Sequence, residues 1–292
     1  LFGNTRRAPF LSRGNPATPE DYMATDVVAS IDNATERYKI LNEIQKRVLW
    51  LSVYMVDYAN HARPNPTGLK VGGHQASSAS VVTVMTYLYF EFMKAGDRLS
   101  VKPHSSPVYH AIQFLLGNLD PEYLKALRGF HGLQAYPSRT KDPDVADFST
   151  GSMGLGVVAP LFAAAARRYV DAHGGPTSQE SARFIALAGD AELDEGNIWE
   201  AITDPSLQGL GNVTWIIDTN RQSLDRVVSD KLFRKIKDFF QAVGWQVVIL
   251  QHGKLQQAAF ARPGGEALRQ WIDDCPNELY CALTFKGGAA WR

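Results

Sequence analysis

Two short segments carry the residue types of a divalent-cation and phosphate site. The first is Gly189-Asp190-Ala191-Glu192-Leu193-Asp194-Glu195-Gly196, directly after the apolar run 184–188. The second is Asp218-Thr219-Asn220-Arg221-Gln222, directly after the apolar run 213–217. Asp190 offers a carboxylate, Asn220 an amide oxygen, and a main-chain carbonyl nearby would add a third hard oxygen. Magnesium wants about six oxygens in octahedral order and sheds water reluctantly, so it usually completes its shell with water and substrate phosphates. Helices are expected to start near Gly154 and Glu195, where N–H groups and the positive dipole end would favour a phosphate. Taken alone, the same residues also serve as ordinary turn and helix-cap residues. His74, after Gly72-Gly73, and His104, after Pro103, are either loop residues or proton carriers, since imidazole titrates near neutrality.

The elements that must position these residues follow from periodicity. Apolar residues Leu41, Ile44, Val48, Leu51, Met55 and Tyr58 recur at helical spacing and predict a long helix over 36–61, stopped by Arg63-Pro64-Asn65-Pro66. A very apolar helix is expected over 77–94, a short strand near Leu99, and short helices over 107–116 and 121–127, each with Pro at its start. Residues 129–153 hold Gly, Pro, Asp and Ser in irregular order, a long connection that implies a binding loop. Helices at 154–173, 195–203, 230–241 and 254–274 then alternate with strands at 184–188, 213–217, 245–250 and 279–284. Continuous apolar strands separated by helices predict an α/β fold with a parallel sheet covered by helices on both faces. Ligands of such sheets bind beyond the carboxyl ends of the strands. A right-handed crossover would bring Asp190 and Asn220 to one sheet edge.

Composition excludes several classes. The chain has 292 residues, with 30 basic and 30 acidic side chains, and no basic stretch that would attract nucleic acid or an acidic membrane. The longest nearly apolar runs, 81–93 and 156–166, fall short of the roughly 20 residues a membrane helix needs. Cys275 and Cys281 suggest neither a disulfide framework nor a zinc site and are expected as reduced thiols, one of them in the last strand. No secretory leader is legible, so a cytoplasmic protein is expected. Residues 1–35 read as an extended arm and 36–292 as the α/β domain. Leu1 and Arg292 read as cuts inside a longer polypeptide.

Gly189-Asp190 with Glu195-Gly196, followed by Asn220, resembles the thiamine diphosphate motif of the transketolase superfamily. The likeness extends to Gly72-Gly73-His74-Gln75-Ala76-Ser77, His104-Ser105-Ser106-Pro107, Tyr136-Pro137, Ser152-Met153-Gly154-Leu155-Gly156 and Asn220-Arg221-Gln222-Ser223-Leu224-Asp225. These occur in the order seen in homodimeric pyruvate dehydrogenase E1 components, over about residues 36–290. The resemblance implies the diphosphate-binding domain fold, with Asp190, Asn220 and the Gln222 main-chain oxygen holding Mg2+. It further implies that His104, His74 and Ser77 line the diphosphate and reacting carbon, and that Met153, Gly154 and Leu155 meet the aminopyrimidine. Ala191, Glu192 and Leu224 would complete the surroundings, and Glu195 would link two active sites across a dimer interface. His131 has a weaker match, while His61, His110, His173 and His252 are expected to be structural or solvent-facing.

The implied activity is oxidative decarboxylation of a small 2-oxo acid such as pyruvate, with acyl transfer to the lipoyl group of an E2 partner. Three departures bear on it. Ala191 replaces a usual Gly, Ser138 stands where a His often follows the Pro, and the pyrimidine-binding and C-terminal domains are absent from this chain. A second copy of a longer chain, or a complementary chain, would have to supply the glutamate that activates the aminopyrimidine. Transketolase-type ketol transfer between sugar phosphates, and an inactive magnesium and diphosphate binding fragment, are the alternatives.

Overall fold

The computed structural model describes residues 33–144, 146–175, 182–220, 222–223, 226–227 and 232–291. The chain divides into two compact units, Leu1–Asp218 and Thr219–Arg292. The expected arm, residues 1–35, lies almost wholly outside the described residues.

In the first unit, helix α1 (Ala34–Asp57) is capped by Asn33, whose side chain accepts from the amides of Thr35 and Glu36. That arrangement satisfies two of the N–H groups a helix start leaves unpaired. The predicted stripe buries as expected at Leu41, Val48, Leu51 and Met55. A π-helical turn, Tyr58–Ala62, then ends the helix and rotates Asn60 toward the Gly72–Gly73 loop. The expected helix over 77–94 is instead broken into α2 (Gln75–Ala79), α3 (Val82–Tyr87) and a π turn at Leu88–Phe92. Apolar content there marks burial, and the breaks let the chain pack closely without one straight axis.

Strands β1 (Arg98–Ser100), β2 (Phe184–Gly189) and β3 (Val213–Asp218) form one parallel sheet in sequence order. Helix α4 (Ser106–Leu115) precedes the long loop and α5 (Leu155–Ala172) follows it. Helix α6 (Gly196–Thr203) connects β2 to β3. Helix α5 packs against all three strands. On the other side, Ile185 and Leu187 join a cluster with Leu99, Val108, Ile112, Val48 and Met55. β2 is therefore covered from both sides, as its unbroken apolar run requires. At the amino end of the sheet Asp97 fastens the first pair of strands. Its carboxylate accepts from the Arg183 amide at 2.8 Å and from Arg183 Nε at 2.9 Å.

The second unit departs from expectation. Residues 245–250 form no strand; Val248, Ile249 and Leu250 are exposed, and no described strand runs beside them. β-branched residues permit an extended chain, but a ladder also needs a partner edge. Residues 279–284 lie within a helix, Asn277–Lys286, so Cys281 is helical and not in a final strand. A short apolar run cannot be told from a helix segment by periodicity. The expected helix over 254–274 splits into Lys254–Phe260 and Gly265–Asp274. Pro263 and Gly264 interrupt it, and Gly264 takes a left-handed φ of 82°. Cys275 and Cys281 form no disulfide. No helix among the described residues is long and apolar enough to cross a membrane.

Candidate active site

The carboxyl edge of the sheet gathers most of the residues singled out in the sequence. Asp190, Ala191 and Glu192 share one 3-10 turn, Asp190–Asp194, that leaves β2 directly. Asp190 is 8% exposed, and its Oδ1 accepts from the Ala191 amide at 3.1 Å. Ala191 does not take a left-handed φ, so its methyl group costs no backbone strain there. Glu195 occupies the cap position of α6 and is half-buried, but its side chain makes no capping hydrogen bond.

Glu192 turns back beneath this edge, where its Oε2 accepts from the Gly189 amide at 3.0 Å. Its Oε1 is buried without a hydrogen-bond partner, as is Asn197 Oδ1. Burial pushes the Glu192 carboxyl up from its ordinary value, and the nearby Glu195 adds to the rise. The Gly189 and Gly154 amides and the Lys102 ammonium oppose it. Gly154 caps α5 with φ 77°, and a Cβ there would fall 2.3 Å from Asn197 Oδ1. Only glycine fits both the backbone and the space. Met153 and Leu155 on either side of it are 39% and 52% exposed, an apolar surface flanking buried polar atoms that lack partners. Such a cradle suits a ligand with one apolar ring and one set of polar edges.

Because the folded chain holds the Glu192 proton more tightly than the unfolded chain, this group favours folding at low pH. That contribution is lost as pH rises through the window above its ordinary value near 4.5. Glu192→Gln is therefore expected to raise Tm by a few degrees at pH 8, with the gain shrinking towards pH 5. Thermal melts across that range check it; a gain independent of pH would show that the charge is not the cause.

His74, Ser77 and His104 form a second group. Ser78 Oγ donates to the His104 carbonyl at 3.2 Å, and Ser105 Oγ donates to the Ser77 carbonyl at 3.5 Å. α2 and the turn Pro103–Ser105 are thereby interlocked, with His74 at the cap of the former and His104 inside the latter. The loop that leads to His74 is held by Asn60, which accepts from the Gly72 amide at 2.6 Å and donates to the Gly73 carbonyl at 3.1 Å. Partial burial holds the His104 imidazole below its ordinary range. The positive charges of Arg128 and Lys102, and then the His74 ring, push it further down. His104 is thus a neutral imidazole near pH 7, able to accept a proton. Its ring stands edge-on to Tyr136 with centroids 5.6 Å apart.

Three residues that the motifs did not single out connect these groups. Lys102 is 7% exposed, and its Nζ donates to Asp218 Oδ2 at 2.8 Å; Ser80 Oγ donates to the same oxygen at 2.7 Å. The Lys102 stem crosses the end of β2, since a Cβ on Gly189 would lie 3.4 Å from its Cδ. One ammonium therefore acts on both His104 and Glu192. Arg128, with φ 54°, donates to the Val71 carbonyl at 3.1 Å and lies 5.8 Å from the centre of the Tyr136 ring. A signal was present for Lys102 and Asp218, because the first falls just after a strand and the second ends one.

Asn220 and Gln222 belong to the second unit, where Gln222 opens a two-residue strand paired with Arg226–Val227. Leu224 lies outside the described residues. His131 has φ 56° and its ring lies tilted against the exposed Phe130, with centroids 3.9 Å apart. His61 pairs with Asp57 on the surface, as expected of a structural histidine.

A parallel sheet with buried carboxylates and a glycine-capped helix at its carboxyl edge is the architecture on which open α/β proteins bind ligands. Comparison with known proteins narrows this. Residues 92–262, more than half of the chain, match the family described as transketolase, thiamine diphosphate binding domain. The chain belongs to that family. It is 29% identical over 283 residues to the pyruvate dehydrogenase E1 component of Haemophilus influenzae, covering 93% of this chain and 31% of that protein. The corresponding protein of Cupriavidus necator is 30% identical over 264 residues, covering 87% of this chain and 29% of the relative. The chain thus spans less than a third of the length of these relatives. Among solved structures, transketolase from Leishmania mexicana superposes with a TM-score of 0.61 at 19% identity, over 81% of this chain and 35% of that one. Transketolase from Campylobacter jejuni gives 0.60 at 24% identity, over 82% and 36%. At that identity the likeness speaks for the fold.

Proposed function

We propose that this chain is the diphosphate-binding part of a thiamine-diphosphate- and magnesium-dependent 2-oxo acid dehydrogenase of the E1 type. It would act on pyruvate or a close 2-oxo acid and pass the acyl group to a lipoyl-bearing E2 partner. The observation that carries this reading is the buried Asp190 at the carboxyl end of β2, beside the Gly154 cradle with its partnerless Glu192 and Asn197 oxygens. The names of the curated relatives favour the dehydrogenase over ketol transfer.

In this reading Asp190, Asn220 and the Gln222 carbonyl hold the magnesium ion. Support comes from the register within the first unit: Gly189 pairs with Asp218, so the turn bearing Asp190 leaves β2 at the rung where β3 ends. Met153 and Leu155 offer the apolar surface for a ring, and Glu192 the polar edge. When bound, thiamine diphosphate supplies an electron sink for the carbanion that decarboxylation leaves. The chain's own part is to position, to exclude water and to move protons. His104, kept neutral by burial, Arg128 and Lys102, is suited to accept a proton, and His74 lies beside it to relay charge. Glu195 and a second subunit, or a complementary chain with the pyrimidine-binding domain, would complete the active centre.

The test is turnover by the intact natural polypeptide with thiamine diphosphate, magnesium and an artificial electron acceptor. Reduction of the acceptor with pyruvate or a close 2-oxo acid is expected. Turnover of ketose phosphates with no activity on 2-oxo acids would replace this reading by ketol transfer.

A further inference from the structure

We propose that His110, Asp142 and Asp144 form a second metal site, separate from the Asp190 motif, that takes a first-row transition ion of the zinc type. One ligand atom from each of the three residues lies within 4.8 Å of the other two. His110 comes from α4, and both aspartates come from the long loop between α4 and α5. His110 Nδ1 and Asp144 Oδ2 are 2.7 Å apart, and both side chains are wholly excluded from solvent.

One further atom of this pair points to a missing ligand: Asp144 Oδ1 is buried with no hydrogen-bond partner. A buried polar atom left unsatisfied costs roughly 1–3 kcal/mol. Among the described residues no Lys or Arg pairs with Asp142 or Asp144, so a half-buried and a fully buried carboxylate face one imidazole. Asp142 accepts from the amides of Gln134 and Ser138 at 2.7 Å each. A divalent ion on the Nδ1 side of His110 would satisfy Asp144 Oδ1 and offset the two carboxylates.

The donor set selects among ions. Magnesium and calcium prefer oxygen throughout, whereas one imidazole with two carboxylates suits zinc, cobalt or iron. Asp142 also fastens Gln134 and Ser138, which flank Tyr136, and Tyr136 stands against His104. An ion here would thus lock the loop that shapes the candidate active site.

The test is Zn2+ retention by the full chain after chelation, reloading and gel filtration, with Co2+ visible absorption as a reporter of the ligand field. One equivalent is expected in the wild type and equally in Asp190→Asn, which removes the motif carboxylate. His110→Gln, Asp144→Asn and Asp142→Asn should each weaken Zn2+ binding at least tenfold. Failure of the wild type to retain Zn2+, or equal retention by the folded variants, overturns the proposal. Should one variant fail to fold, the wild-type stoichiometry and the remaining variants still decide it. The outcome is independent of thiamine diphosphate binding, which fails or succeeds at Asp190.

Discussion

Asp190→Asn is expected to weaken thiamine diphosphate binding by about 100-fold or more in the presence of magnesium, with little change in fold. The substitution keeps volume and shape. An asparagine Oδ1 can still accept from the Ala191 amide, as Asp190 Oδ1 does now. What disappears is the negative charge of the one carboxylate that the motif assigns to the cation. Outer partners of metal ligands alone are typically worth 10–100-fold in affinity, so a direct ligand should exceed that range, or ~3 kcal/mol. Quenching of tryptophan fluorescence during cofactor titration at several magnesium concentrations measures it. Wild-type affinity in the variant, or affinity that ignores magnesium in both proteins, would remove Asp190 from the metal site.

The second large effect is expected from the ion pair at the same edge. Lys102 and Asp218 have side chains only 9% and 18% exposed, and Ser80 also donates to the Asp218 carboxylate. Removing a single member of a buried pair strands the other charge, at a cost of about 3–5 kcal/mol. Lys102→Met and Asp218→Asn should therefore each lower the unfolding free energy by roughly 3 kcal/mol. The double variant should recover at least half of the summed loss, since no bare charge remains. Denaturant unfolding of the four proteins closes the cycle. Additive losses would mean that the two side chains are not energetically coupled. In Lys102→Met the His104 imidazole should also titrate higher, because one of the positive charges holding it down is gone.

Much of the site was legible because its residues sit in short motifs at strand ends. Asp190 and Gly154 are legible from their places after a strand and at a helix start, Glu192 and His104 from the resemblance, and all four lie in the first unit. Arg128 and Asn60 were not legible. Arg128 reaches Val71, and Asn60 reaches Gly72 and Gly73, from positions with no local pattern to mark them. Their importance arises from backbone carbonyls and amides brought close only by folding. His110 was assigned a plain structural role, since nothing near it in the chain reveals Asp142 and Asp144. Strands β2 and β3 were legible from their apolar runs, whereas 245–250 and 279–284 show that the same signal without a partner edge does not make a strand.

The Asp97–Arg183 fastening lies at the end of the sheet opposite the chemistry, yet it governs alignment there. β1 has three residues, and its pairing of Arg98 with Phe184 is set by this clasp together with the Arg98 amide bonded to the Arg183 carbonyl. Sliding β1 by one position would turn each of its side chains to the wrong face. It would also carry Lys102 off Asp218 and shift His104 along the rim. Harm done at position 97 would consequently surface as lost turnover from a misaligned rim whose reactive groups are all still present.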